Sequence, residues 1–453
     1  MKKRLMALAL LAALTLSFTI PAFADETESE SPRTTAQEAA SSAEDTGEAA
    51  EGEAPEQADD AAKAEAPSLA GPDGADLTYT PDEVGFVSFA NVESRMRAEN
   101  LKILALQQSI ETLQDIDYEK LEDDLRDAIN EIADAKWAML QMQAMEPIGA
   151  QLAIANMDTQ REALKEQFDD IKEGKLQADN AGIVRQLQNA QNQIILAAES
   201  TFIALKAMDT QEGALQRQLA SLNRTVEEME LRYEMGQISA LQLAEVKAGR
   251  SSLISGLTTL QMNIDTYKAQ LEQLLGAQIT GAIALGEVPA VTAEQVAAMD
   301  LEADMAAYKA ASYELYDAEQ TLADAKEEFE DARDEYNANE KKQAYRAAKR
   351  TWEAAQYTYN DTVQSCELKF RAAYNQVKDY LQIYEASLVS LECEKSSFAA
   401  SELKYSQGTI SQNAFLTAQD DLRTAEETAE NAMNDLFSSY NTYCWAVRCG
   451  ILN

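Results

Sequence analysis

The chain has 453 residues, 78 Asp and Glu against 38 Lys and Arg, no His, and a formal net charge of −40. Such acidity excludes the basic faces that nucleic acid requires, so no nucleic-acid partner is expected, and it disfavours adsorption to anionic lipid. Without His the commonest general base and metal ligand is missing, and no Gly-x-Ser-x-Gly, phosphate-cradling Gly loop or Cys-x-x-Cys is present.

In chain order, Met1 to Arg4 supply three positive charges, residues 5–20 are mostly apolar, and Ala22-Phe23-Ala24 is a small-x-small cleavage signal. Residues 1–24 therefore read as a signal peptide, which makes this an exported protein of the cell envelope. Removing it takes the formal charge from −40 to −43. Residues 25–80 read as a disordered acidic linker, because 25–68 contain no Val, Ile, Leu, Met or aromatic residue to bury. No later stretch approaches the ~20 consecutive apolar residues of a membrane helix.

From residue 86 the pattern is helical. Val92, Met96, Ile103, Leu106, Ile110 and Leu113 recur at intervals of three, four or seven. Pro147-Ile148-Gly149 interrupts, 151–171 is again helical, and the run GKLQADNAG at 174–182 predicts a turn cluster. The stretch 183–236 carries Leu215, Leu219, Leu222, Val226, Met229 and Tyr233 in 4-3 alternation, the heptad spacing of a coiled coil. Leu253, Leu257, Leu260, Ile264, Tyr267, Leu271 and Leu274 continue it on a returning arm. Residues 277–292, with two Gly, one Pro and β-branched residues, predict a joint with a short strand. In the second half 301–336 predicts one ascending helix, 337–339 a turn, and 341–406 a descending helix of roughly 100 Å at 1.5 Å per residue. Its seam is Val363, Cys366, Phe370, Val377, Tyr384, Leu388, Leu391, Phe398 and Tyr405.

The two halves share a motif. Tyr-x-x-Gly-x-Ile-Ser occurs as Tyr233/Gly236/Ile238/Ser239 and as Tyr405/Gly408/Ile410/Ser411, each followed by some forty residues to a closing glycine, Gly276 or Gly450. Gly permits a sharp left-handed turn, Ser caps the next helix, and the apolar spacing resumes. The fold class is therefore all-α: two tandem antiparallel helical hairpins at 81–276 and 293–453, with little or no β structure.

Two such motifs, each heading a long helix that ends at a glycine, resemble the TolC-like outer-membrane efflux family. The resemblance implies a homotrimeric exit duct, with a membrane-fusion (adaptor) protein and an inner-membrane ABC or RND-type pump as partners. It implies that Tyr233, Gly236, Ile238, Ser239, Tyr405, Gly408, Ile410 and Ser411 form the adaptor-binding tips. Some members carry aspartates at the sixth and ninth residues after the second tip glycine. Here those positions are Ala414 and Thr417, and in the first copy Gln242 and Glu245, which leaves Glu245 as a pore-ring residue or a solvated helix acid. The family's barrel strands are missing from the pattern: EDARDEYNANEKKQAYRAAKR and KWAMLQMQAMEPIGAQLAIANM stand where they are due. A non-channel envelope scaffold with the same helical body is thus the alternative to a duct.

Acidic pairs such as Asp123-Asp124 and Asp420-Asp421 read as solvated helix faces in a chain this acidic, and no catalytic residue, metal site or cofactor is assigned. A carboxylate-pair envelope hydrolase is a remote rival, there being no α/β pattern to form a pocket. Met139, Met142, Met145 and Met157 read as core filling or as an adaptable partner surface. Cys366 lies 41 residues before position 407 and Cys449 lies 42 after it, level on equal hairpin arms. They form a candidate disulfide, against the alternative of two small buried thiols.

Overall fold

A computed structural model describes residues 82–142 and 147–452; the expected signal peptide and the linker at 25–80 lie outside the described residues. The first half holds β1 (Phe86–Val87), α1 (Phe89–Glu99), α2 (Leu101–Gln114), α3 (Tyr118–Met142), α4 (Pro147–Lys172), α5 (Lys175–Glu234) and α6 (Ala240–Leu274). The second holds β2 (Ala284–Leu285), α7 (Ala293–Ala297), α8 (Leu301–Ala311), α9 (Tyr313–Glu335), α10 (Gln343–Ser406) and α11 (Gln412–Cys449). Among the described residues the fold is all-α apart from β1 and β2, which pair in parallel with Val87 opposite Leu285. Among the described residues, no helix is long and apolar enough to cross a membrane.

The 60 residues of α5 and the 64 of α10 reach about 90 and about 96 Å at 1.5 Å per residue. Propensity alone does not hold helices this long; their seams do. The seven seam residues of α6 are all buried or half-buried. On α10 Cys366, Phe370 and Val377 are fully buried, but further on Ser387 is buried while Leu388 is 41 % exposed. Ser387, not Leu388, lies three whole heptads after Cys366, so the buried seam keeps the seven-residue repeat, and Leu391 and Phe398 remain half-buried on it.

Two helices expected to be continuous are broken at equivalent points. Asn100 separates α1 from α2, and Ser312 separates α8 from α9, each with an extended backbone. Asn100 Oδ1 accepts hydrogen bonds from the backbone N–H of Lys102 and Ile103, while its Nδ2 donates to the Leu274 carbonyl at 2.6 Å. Ser312 Oγ caps the amide of Leu315. The closing glycines explain the breaks. A Cβ on Gly276 would lie 2.6 Å from the Glu99 carbonyl oxygen, and one on Gly450 would lie 2.3 Å from the Ser312 nitrogen. Each half thus ends by seating a glycine against a helix break of its own, Gly276 at the α1–α2 break and Gly450 at the α8–α9 break.

Two other expectations are corrected. Pro147 opens α4 rather than interrupting a helix, and a first-turn position suits proline because the N–H it lacks would have no partner there. The turn cluster at 174–182 shrinks to a turn at Gly174. Gly182 lies inside α5, where a Cβ would come within 3.2 Å of Tyr316 Oη on α9; this glycine serves close packing. The expected turn at 337–339 holds, with Asn337 and Ala338 at positive φ. Where the barrel strands of the resembled family are due, the described residues are the ends of α3, α4, α9 and α10 and the turn between the last two.

The core sits around the strand pair. Val87, Met96, Ile195, Phe202, Leu271, Ile283 and Trp445 form one cluster. Tyr308, Cys366, Phe370, Val377, Leu436 and Tyr443 form another. Phe89 joins the two, edge-on to Phe202 at 5.5 Å and to Phe437 at 4.7 Å.

Candidate functional site

The two repeated motifs form turns of the same geometry. Gly236 has φ 70° and Gly408 has φ 69°. In each the glycine N–H donates to the Tyr carbonyl three residues back, Tyr233 or Tyr405, at 2.9 Å. The following residue reaches five back, Gln237 to Arg232 at 2.8 Å and Thr409 to Lys404 at 2.9 Å. That is the doubled C-cap that satisfies the last carbonyls of a helix. Ser239 and Ser411 then cap α6 and α11, accepting from the amides of Gln242 and Ala414.

The tips differ in detail. Gln242 returns its side-chain oxygen to the Ser239 amide at 3.0 Å, completing a capping box. The second tip has Ala414 there and no such return. Behind the second tip Phe415 stacks on Tyr405 at 4.6 Å and lies 5.7 Å from Phe398. The equivalent positions of the first tip are Leu243 and Val226, both buried. Glu245 is exposed on α6.

The structure brings the two tips to one level. Arg224 lies twelve residues before Gly236, Asp420 twelve after Gly408, and they form an ion pair at 2.7 Å. Arg217 and Glu427, each nineteen residues from its tip glycine, are also paired. The partly exposed Arg224–Asp420 pair contributes at most about 1 kcal/mol, so it reports register more than it provides strength; Glu427 of the other pair is buried. The strength lies deeper, thirty-seven residues from each tip, where Trp445 Nε1 donates to Glu199 at 2.7 Å. Asn441 Nδ2 donates to the same oxygen at 2.7 Å. Burial pushes the Glu199 carboxyl above its ordinary value, against these two hydrogen bonds.

The tips end in exposed apolar side chains that the motif does not name. Leu231, Met235, Leu241 and Leu403 are 55–69 % exposed. Tyr233 and Tyr405 are exposed as well, while Ile238 and Ile410 are half-buried. Leu231 and Leu403 occupy equivalent positions, five before the glycine, so the repeat itself marks them. The sequence reading passed over them because they fall outside the heptad seam.

No protein-family model matches the sequence, and no curated protein matches it. Among solved structures the chain is similar to the CmeC outer membrane channel of Campylobacter jejuni, with a TM-score of 0.45 and 14 % identity over 64 % of this chain and 68 % of that one. It is similar to the outer membrane protein VceC of Vibrio cholerae, with a TM-score of 0.40 and 16 % identity over 61 % and 76 % of the two chains. It is also similar to a membrane protein from Pseudomonas aeruginosa, with a TM-score of 0.47 and 10 % identity over 80 % and 90 %.

The Cys366–Cys449 pairing is not formed: all four cysteines are free thiols. The level is as expected, since Phe370 meets Tyr443 across the arms at 5.4 Å, but the faces differ. Cys366 is buried in the second cluster beside Glu314, while Cys449 packs against the first. A cleft beside Trp445 gathers Glu93, Glu199, Asp304, Tyr443 and Arg448. These groups hold one another: Tyr443 O–H donates to Asp304, and Arg448 pairs with Glu93 at 3.0 Å and covers the Trp445 ring. Asp123 and Asp420 likewise pair with Arg126 and Arg224.

Proposed function

We propose that the chain is the exit duct of a tripartite efflux or type I secretion system, a TolC-like passive conduit that works as a homotrimer in the cell envelope. Its paired tips dock the helical hairpin of a membrane-fusion adaptor, and an ABC or RND-type inner-membrane pump supplies the energy. The observation that carries this reading is the pair of tips: the same Tyr-x-x-Gly-x-Ile-Ser turn, built twice, held level, and ending in exposed leucine, methionine and tyrosine. Such an end offers a partner an apolar, rigid and repeated surface, which suits intermeshing with other helices. Tyr233, Gly236, Ile238, Ser239, Tyr405, Gly408, Ile410 and Ser411 shape that surface, and Glu245, exposed beyond the first tip, is the candidate for an acidic ring at its mouth. The reading involves no catalysis.

Gly408→Asp tests it. A Cβ on Gly408 meets no atom within 4 Å, so the change adds left-handed strain and a charge but no clash. Helix content by circular dichroism is expected to stay intact while adaptor co-purification is lost. Unchanged co-purification contradicts the assignment. A second reading, a scaffold with the same helical body and no conduit, is favoured by the helical turn joining α9 and α10 where the resembled family has strands. It predicts protein without a lumen.

A further inference from the structure

The four helices that run to the tips form a row: α6 packs on α5, α5 on α11 and α11 on α10, which leaves α6 and α10 at the edges. Inside the row the halves meet between α5, the descending arm of the first, and α11, the returning arm of the second. Counted from the tip glycines, that junction uses positions 12 and 19, Arg224 with Asp420 and Arg217 with Glu427. Because the halves repeat, a second junction of the same kind is open to the descending arm α10 and the returning arm α6.

Within the chain the faces that would make it are bare. On α6, positions 12, 15, 19, 22 and 26 after Gly236 are Ala248, Ser251, Ser255, Thr258 and Met262. On α10, positions 12, 15, 19, 22 and 26 before Gly408 are Ser396, Cys393, Val389, Ala386 and Gln382. All are exposed and none is charged, in a chain of net charge −40; Met262 is 65 % and Val389 73 % exposed. Their 3-4 alternation makes each set a second heptad line, opposite the buried seam of its helix. The hydroxyls of Ser251, Ser255, Thr258 and Ser396 donate to carbonyls four residues back on their own helices, so covering them strands no donor.

We infer that a second copy of this chain covers these faces, α10 of one copy packing along α6 of the next with the tips of both at one level. The contact repeats between copies the α5–α11 junction inside each copy, at the same positions but without its ion pairs. It joins two different surfaces, so it is head-to-tail and generates a ring where the rotation closes. Uncharged faces let two strongly acidic chains meet without opposing like charges. An unrelated helix fits less well, because only the internal repeat ties both faces to one register. The inference deepens the homotrimer part of the proposed function and rests on it, but it uses none of the tip residues.

The test uses the native, exposed Cys393, which shares position 15 with Ser251. Purified, cell-processed Ser251→Cys protein, oxidised in air with copper phenanthroline, is expected to give a non-reducing ladder of covalent dimers and trimers. Adding Cys393→Ser should abolish the ladder. Ser252→Cys, one residue on and turned by about 100° around the helix, should not cross-link. Val389→Glu changes an exposed side chain, so its circular dichroism should match wild type while sedimentation shows monomers in place of trimers. Wild type that sediments as a trimer without the Ser251→Cys cross-link would overturn this interface and leave the homotrimer standing; monomeric wild type would overturn both. A ladder that stops at dimers, equal cross-linking in Ser252→Cys or after Cys393→Ser, or trimeric Val389→Glu would each overturn the interface as well.

Discussion

At the scale of single residues, the glycines divide by what surrounds them. Gly236 and Gly408 are open, so Gly236→Ala should cost only the left-handed strain, about 1–2 kcal/mol. Gly450→Ala drives a Cβ to 2.3 Å from backbone, where no side chain can yield, and should destabilise by more than twice as much. Chemical denaturation of the two variants checks the difference. Two buried glutamates make a second test. Glu272 is nearly fully buried, yet its carboxylate accepts from the backbone amides of Thr280, Gly281 and Ile283 and from Thr280 Oγ1. Burial opposes ionisation there, but the hydrogen bonds outweigh it and hold the group below its ordinary value of 4.5. Glu199, with burial dominant, lies above it. The signs are therefore opposite. The Glu272 contribution is present above pH 4.5 and lost as pH falls through the depressed value. The Glu199 contribution is present below 4.5 and lost as pH rises through the raised value. Urea midpoints across pH should show Glu272→Gln weakest relative to wild type at neutral pH and converging with it in acid. Relative to Glu199→Gln, wild type should gain stability on acidification; parallel curves for either variant would contradict the assignment.

At the scale of elements, the sequence disclosed what repeats and concealed what does not. The arms of the hairpins were legible because heptad spacing is a periodic signal, and the tips because a turn motif occurs twice. The breaks at Asn100 and Ser312 were not, since apolar spacing runs through both and neither Gly nor Pro marks them. Asn and Ser are good N-caps, but in mid-pattern they read equally well as surface residues, and only the approach of Gly276 and Gly450 makes a break necessary. Cys366 and Cys449 show the same limit: register follows from counting residues, whereas the face a side chain takes depends on a neighbouring helix. Asn100→Ala removes a cap for two amides and the donor to Leu274, and should cost about 2 kcal/mol. Ser239→Ala, at a solvated tip, should cost about 1 kcal/mol. Thermal denaturation of both variants checks the order.

At the scale of the molecule, each half seats its closing glycine at a helix break of its own, and the halves are joined through Phe89, Glu199 and Trp445. That junction sets the register that makes the tips level, so it links the core to the proposed function. Trp445→Ala, which empties a site only 1 % exposed, should cost about 3–5 kcal/mol and weaken adaptor capture together with stability. Changes at Leu231 or Leu403 should weaken capture alone. The most direct test of the duct is electron microscopy of the purified protein. The account predicts three-fold particles with a central lumen and six tips, two from each chain, at one end; extended monomers without a lumen would contradict it.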